Sequence, residues 1–320
     1  MVALRVTIAS PASHKENNGN WQTARRWSAF LRDAYEVSVV REWSPPLPAP
    51  DLLIALHARR SASSVAAVSA AGRPVVLVLT GTDLYRDIGS DRDAQRSLEL
   101  ADRIVLLQPA GFQRLPPHLH ARTRVIFQSA PGLAPHRFPA RPRFHDIGMV
   151  GHLRAEKDPL TFIHAASLVT APGARLVHIG GALDPALGEA ARAAEGPHYR
   201  WLGSISHADA RQRLKRCHAM AITSVMEGGA NVIIEAVTSG VPVLASDIEG
   251  NRGMLGDDYP GYFPVGDAAA LARMIDRSIA DPAWYAQLRA QCARRAALFS
   301  PEAERSAVLA LAGELLESVR

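Results

Sequence analysis

Two carboxylates stand eight positions apart in the segment Glu227-Gly-Gly-Ala-Asn-Val-Ile-Ile-Glu235, with two glycines, an amide and an apolar triplet between them. Apolar runs at 219–223 and 241–245 flank it and read as buried strands. The predicted order is therefore strand, glycine turn, helix, strand. The first N–H groups of a helix have no intrahelical partner, and the helix dipole adds positive potential there. Such an end suits a phosphate. Gly228 and Gly229 expose bare backbone to a close ligand. A carboxylate at either end can accept hydrogen bonds from hydroxyls. A ligand that carries both phosphate and hydroxyls points to a nucleotide sugar.

A second cluster lies upstream in Gly148-Met-Val-Gly-His-Leu-Arg-Ala-Glu-Lys-Asp-Pro159, which places a strand end before a helix. Arg154 and Lys157 are three positions apart on one side of that turn, where cations would neutralise a diphosphate. In the first half, His57, Arg59 and Arg60 follow one predicted strand, and Thr80, Gly81, Thr82 and Asp83 follow the next. These groups fit an anionic acceptor, with Asp83 equally suited to capping a helix.

Elements must hold these residues in place. Strands are expected at 4–9, 37–40, 52–56, 75–79, 104–107 and 125–127, mostly continuous apolar runs as in a parallel sheet covered on both faces. Helices are expected at 20–33 and 92–101. The proline-rich stretch 129–142 breaks the alternation and reads as a linker. Beyond it, strands are expected at 146–150, 176–179, 200–202, 219–223 and 241–245. Helices are expected at 159–169, 207–217, 230–239, 268–279, 282–299 and 301–318. The domains read as 1–135 for the acceptor, 143–298 for the nucleotide sugar, and a C-terminal helix at 299–320 packing back toward the first domain. Ligands in such sheets bind beyond the carboxyl ends of the strands, and the expected site is the cleft between the two domains.

Composition narrows the class. The 320 residues are 48% hydrophobic and 21% charged, as in an ordinary soluble globular protein. No apolar run reaches the roughly 20 residues needed to span a bilayer, and the opening residues read as a strand rather than a signal peptide. Cys217 and Cys292 are the only cysteines, which argues against a disulfide framework and for the cytoplasm. A net charge of +5 admits an anionic small substrate. No basic tail, zinc module or aromatic RNA-binding strand points to nucleic acid. Helix 20–33 carries Trp21, Trp27 and Phe30 beside Arg25, Arg26 and Arg32. Core packing is expected for these aromatics rather than a membrane surface. Asp91-Arg-Asp93 imitates a metal-binding pair but opens a helix, where acidic residues favour the dipole. No metal or other cofactor is expected.

The chain resembles the GT-B retaining glycosyltransferases of family 4. Their hallmark, E-x7-E followed by G-x-P-V, is matched by Glu227, Glu235 and Gly240-Val-Pro-Val243. Their G-R-L-x-x-x-K is matched by Gly151-His-Leu-Arg-Ala-Glu-Lys157, with His152 in place of the arginine. The resemblance implies an α/β fold of two doubly wound Rossmann-like domains facing a cleft, and a metal-independent hexosyltransferase with a UDP-sugar donor. It implies that Glu227 binds sugar hydroxyls and that Gly228, Gly229, Ala230, Asn231 and Val232 hold the sugar and distal phosphate. Glu235 would bind the ribose, and Lys157, with Arg154 or His152, would stabilise the leaving diphosphate. Gly180, Gly181, Gly203, Gly19 and Asn20 would line the donor, and Lys15 would reach an acidic acceptor.

A narrower resemblance is to the selenosugar synthases of selenoneine biosynthesis. It rests on Leu56-His-Ala-Arg-Arg-Ser61, Leu79-Thr-Gly-Thr-Asp-Leu-Tyr85, Gln128-Ser-Ala-Pro131, Gly151-His-Leu-Arg154, Met226-Glu-Gly-Gly-Ala-Asn231 and Asp258-Tyr-Pro-Gly-Tyr-Phe-Pro264. It implies selenophosphate as acceptor, UDP-N-acetylglucosamine as donor, and a downstream pathway enzyme as the consumer of the selenosugar. Many family 4 enzymes place a histidine where Thr80 stands. A hydroxyl acceptor needs a base to take its proton, whereas an anionic selenium nucleophile needs less help. The alternatives are a family 4 enzyme acting on a lipid or small-molecule hydroxyl, and a non-catalytic nucleotide-sugar sensor.

Overall fold

A computed structural model describes residues 4–13, 19–137, 139 and 142–317. The chain divides into two compact units. The first holds Met1–Ser129, the short stretch Glu227–Gly229 and Pro301–Arg320; the second holds Ala130–Met226 and Ala230–Ser300.

In the first unit the elements run β1 (Arg5–Ala9), α1 (Gly19–Leu31), β2 (Glu36–Val40), β3 (Leu52–Leu56), α2 (Ala62–Ala70), β4 (Val75–Val78), α3 (Arg92–Leu100), β5 (Arg103–Leu106) and β6 (Thr123–Val125). The strands form one parallel sheet in the order β2-β1-β3-β4-β5-β6. Strand side chains alternate between its faces. Leu53, Ala55, Val75 and Leu77 join the core that α2 and α3 cover. Leu52, Ile54, Leu56, Val76 and Val78 join the opposite core, shared by Trp27 and Leu31 of α1 and by Val308, Leu311 and Leu315 of the C-terminal helix Pro301–Glu317. Burial on both faces is why these strands read as unbroken apolar runs. Trp27 is fully buried in this core. Asp91 caps α3 by accepting the Ala94 N–H at 2.9 Å.

The run Val125-Ile-Phe127 predicts a strand at 125–127, yet β6 spans Thr123–Val125. The register runs from Ile104 opposite Thr123 to Leu106 opposite Val125, so the end of β5 fixes the end of β6. A single π-helical turn, Asp83–Asp87, follows β4 where no periodic pattern signals a helix.

In the second unit the order is β7 (His145–Val150), α4 (Pro159–Leu168), β8 (Ala174–Ile179), α5 (Pro185–Ala193), β9 (Tyr199–Trp201), α6 (His207–Leu214), β10 (Ala219–Ile222), α7 (Asn231–Val237), β11 (Val243–Ser246), α8 (Glu249–Leu255), β12 (Tyr262–Phe263), α9 (Ala268–Ala280) and α10 (Pro282–Arg295). Its parallel sheet is ordered β12-β11-β10-β7-β8-β9. Val177 and Ile179 pack against Ala210 of α6. His178, between them in sequence, meets Phe162 of α4 edge-on from the other face. The stretch after Ser129 is tied to this unit: Arg211 donates to the Pro131 carbonyl and the Leu133 N–H to the Thr238 carbonyl. Cys217 and Cys292 are buried free thiols, and burial pushes the Cys217 thiol up to about 12.

Two histidines of this unit are held neutral. Burial pushes both His178 and His218 down to about 4. An unfolded imidazole titrates near 6.5, so between about pH 6.5 and about pH 4 the unfolded chain binds more protons than the folded one. Stability therefore falls as pH is lowered through that window, by on the order of 3 kcal/mol per histidine. Thermal unfolding at pH 7 and pH 4.5 checks this. The midpoint should drop markedly at the lower pH, and an unchanged midpoint would refute the assignment.

Candidate functional site

In the second unit, the loops beyond the carboxyl ends of β7, β8 and β9 interlock. The Gly151 N–H donates to the Ile179 carbonyl (2.8 Å), the Leu153 N–H to the Gly181 carbonyl (2.9 Å), and the Gly180 N–H to the Gly203 carbonyl (2.8 Å). Gly180 has φ +153°, and a Cβ there would overlap the Gly151 carbonyl, so only glycine fits. Trp201 Nε1 donates to the Gly180 carbonyl at 2.7 Å. The buried His178 supports the loops from below: its Nε2 lies 3.2 Å from the Gly151 carbonyl and its Nδ1 3.1 Å from the Tyr199 hydroxyl. Only a protonated Nε2 satisfies the carbonyl, which fixes the tautomer. A lone polar residue in the apolar run Leu176-Val-His-Ile179 is the sequence signal for this role.

His152 lies within the same loops. The Gly181 N–H points at its Nδ1 (3.1 Å), which therefore carries a lone pair. Burial, with Arg154 and Lys157 nearby, lowers its pKa. The ring is neutral at pH 7, so the positive charge here comes from Arg154 and Lys157. Arg154 is exposed, and the Lys157 stem lies over Gly151, whose added Cβ would stand 3.7 Å from Lys157 Cδ. The Lys157 carbonyl accepts the Thr223 hydroxyl at 2.8 Å, and the Glu156 carbonyl accepts the Val225 N–H at 3.0 Å. The turn bearing Lys157 is thereby fastened to the chain leaving β10.

Helix α7 opens at Ala230, whose side chain cannot cap the first N–H groups. Ile233, Ile234, Ala236 and Val237 are buried. Glu235 falls on the remaining side, where its Oε1 lies 2.7 Å from His207 Nε2 at the start of α6. Nothing in the local pattern of Ser206-His207-Ala208 announces this partner.

The other half of the carboxylate segment belongs to the first unit. Glu227 is buried there, and Glu227–Gly229 pack on the loop after β4. A Cβ on Gly228 would overlap the Thr80 carbonyl, and one on Gly229 would stand 2.6 Å from Leu107 Cβ. The space left by these glycines is filled by the chain itself, a packing reason for them that the sequence pattern does not reveal.

Also in the first unit, the loops after β3 and β4 are knotted together. Asp83 is fully buried and accepts from the Ala58 N–H (2.9 Å), the Thr80 N–H (2.9 Å) and the Thr80 hydroxyl (2.8 Å). His57 is buried at φ +76°, with Nε2 3.0 Å from Thr82 Oγ1. Such a backbone angle is uncommon for a residue with a side chain. Arg59 Nε bonds Asp87 at 2.9 Å and Arg86 Nε bonds it at 3.1 Å. Burial opposes ionisation of Asp87, but Arg86 and Arg59 outweigh it and its pKa is lowered. Arg60 is exposed. Gly19 and Asn20 open α1, and Lys15 lies outside the described residues. Among the described residues no group of three or more His, Cys, Asp or Glu is placed to hold a metal ion, and no helix is long and apolar enough to cross a membrane.

The family model described as glycosyl transferases group 1 matches residues 137–299. Solved structures with the same architecture include Anabaena HepE in complex with UDP and glucose, at 16% identity and TM-score 0.73 over 98% of this chain and all of that one. They include a sucrose-phosphate synthase from Thermosynechococcus elongatus, at 18% identity and TM-score 0.77 over 98% of this chain and all of that one. The lipopolysaccharide outer core galactosyltransferase WaaB is similar at 14% identity and TM-score 0.68, over 95% and 97% of the two chains. Two parallel six-stranded α/β sheets with this likeness make the fold GT-B.

Proposed function

The chain belongs to the group 1 glycosyl transferases and is a glycosyltransferase, and on that premise we propose that it joins the sugar of UDP-N-acetylglucosamine to selenophosphate. The observation that carries the donor half is the interlocked set of loops at Gly151–Lys157, Gly180–Gly181 and Gly203, with Glu235 nearby in sequence to the hallmark glycines. HepE, similar in fold, holds UDP. Lys157 and Arg154 meet the charge that develops on the departing diphosphate, in place of the family's arginine at neutral His152. Glu235 accepts from ribose hydroxyls, Glu227 from sugar hydroxyls, and the amides from Gly228 to Val232 hold the sugar and distal phosphate. Fixed donors aimed at developing charge usually make the largest catalytic contribution.

The acceptor half rests on the loops after β3 and β4, which carry three arginines, Arg59, Arg60 and Arg86, against two carboxylates, Asp83 and Asp87. In the reaction the selenium of selenophosphate attacks the anomeric carbon. A C–Se bond forms, the C–O bond to the diphosphate breaks, and its electron pair leaves on UDP. Water then cleaves the Se–P bond, giving inorganic phosphate and the selenosugar.

Incubating the enzyme with UDP-N-acetylglucosamine and selenophosphate should release UDP and yield a selenosugar detectable by mass spectrometry. UDP release no faster than without selenophosphate sinks the acceptor assignment; transfer to an alcohol instead would favour a hydroxyl acceptor. Glu235→Gln should weaken UDP binding about tenfold, the size of a lost hydrogen bond to a charged group. Unchanged affinity would remove Glu235 from the site.

A further inference from the structure

The hydrogen-bond order around His57 is determined by its neighbours. The Arg60 N–H points at Nδ1 at 3.4 Å, so Nδ1 carries the lone pair. The proton then sits on Nε2 and is donated to Thr82 Oγ1 at 3.0 Å. Asp83 Oδ2, 4.0 Å from Nδ1, is too far to take a proton from it and already accepts the Ala58 N–H. Thr82 thus receives a hydrogen bond on its oxygen and must send its own hydroxyl proton elsewhere. Among the described residues no acceptor meets that proton: Thr82 starts the π-helical turn without a side-chain cap bond, and His57 is the single hydrogen-bond partner of its hydroxyl.

The backbone supports this arrangement. His57 keeps φ +76° because its N–H is held by the Val78 carbonyl (3.0 Å) and its carbonyl by the Ser61 N–H (3.1 Å). A strained angle kept by surrounding bonds is the kind of feature that marks a site under functional constraint. Burial lowers the pKa of His57, followed by the opposing pull of Asp83 and the push of Arg60, which keeps the ring neutral. Arg59 is spent on Asp87, while Arg60 is exposed and its side chain makes no hydrogen bond or ion pair among the described residues.

We infer that Thr82, set by His57, is a dedicated hydrogen-bond donor to a phosphate-class oxyanion of the acceptor, with Arg60 supplying the charge; this deepens the acceptor assignment above and rests on it. His57 is a positioning residue and does not touch the ligand. Asp83 fastens the two loops and does not touch it either. A donor that cannot turn round discriminates for acceptor oxygens and against a ligand N–H or O–H, because two donors facing each other leave both unsatisfied. An alcohol acceptor, which must give up a proton, gains nothing from such a group.

Inorganic thiophosphate is a suitable probe, having the charge and tetrahedral shape of selenophosphate. Isothermal titration should show its affinity weakened about tenfold or more in Thr82→Val, which keeps the shape and deletes the donor. Thr82→Ser should restore binding to about the wild-type value. UDP affinity should stay the same in all three, separating an acceptor oxyanion from the donor's own diphosphate. Equal thiophosphate binding in wild type and Thr82→Val overturns the inference, as does a loss confined to UDP. Should Thr82→Val fail to fold, Arg60→Gln decides, since its exposed side chain holds nothing together: it must weaken thiophosphate and spare UDP. Steady-state kinetics separate this inference from the proposed function. Wild-type enzyme that binds thiophosphate through Thr82 but turns over no selenophosphate refutes the function alone. Turnover of selenophosphate with an unchanged KM in Thr82→Val refutes the inference alone.

Discussion

Lys157→Met should lower kcat by about 10²–10³-fold, the usual cost of removing one preorganised donor from developing negative charge. The stem of Lys157 packs over Gly151, and methionine retains that contact. The fold of the turn should survive, because it is held by backbone groups: the Lys157 carbonyl takes the Thr223 hydroxyl and the Glu156 carbonyl takes the Val225 N–H. The KM for the UDP-sugar should move by only a few-fold, since a group that acts on the leaving diphosphate is worth most in the transition state. Pre-steady-state measurement of UDP release would check the split. A variant with normal kcat and raised KM would make Lys157 a binding residue, and one with neither changed would remove it from the reaction.

Glu304→Gln should destabilise the first unit by about 3–5 kcal/mol, the range for breaking a buried ion pair from one side. Glu304 is fully buried and takes every donor around it. Arg26 Nε bonds it at 2.6 Å and Arg26 Nη2 at 3.0 Å, with Trp27 Nε1 at 2.7 Å and the Ser129 hydroxyl at 2.5 Å. An amide loses the charge opposite Arg26 and can turn a donor toward Arg26 and Trp27, which have no acceptor to offer. Urea denaturation should therefore show a lower midpoint. The double variant Arg26→Met with Glu304→Leu should be more stable than Glu304→Leu alone, because Arg26 no longer stands without its partner, while the Trp27 Nε1 and Ser129 donors lose their acceptor in both. A single variant as stable as wild type would mean that the C-terminal helix is held by its apolar face, through Val308, Leu311 and Leu315, without the carboxylate.

Much of this was legible in order of residues. Strands buried on two faces must be apolar at consecutive positions, so β3 appears at the same bounds in pattern and structure, Leu52–Leu56. The helix of the carboxylate segment appears from its glycine turn and apolar triplet. Weaker periodicity hid other elements. Helix α2 is rich in serine and alanine, the π-helical turn has no pattern of its own, and β12 is two residues long. Their existence depends on neighbours rather than on local preference.

The sequence by itself determined the alternation of strands and helices, the two-domain plan, and the spacing of Glu227, Glu235 and Lys157, because these rest on periodicity and on short-range spacing. Only the tertiary structure decided which groups face each other. It put His207 against Glu235, 28 positions away, set His178 under Gly151, and gave Gly228 the Thr80 carbonyl as a neighbour. It also assigned protons, making His152 an acceptor and His57 a donor. The physical reason is that a side chain's charge, tautomer and steric limits belong to what surrounds it in space, and long-range pairing brings together residues whose separation in the chain carries no signal.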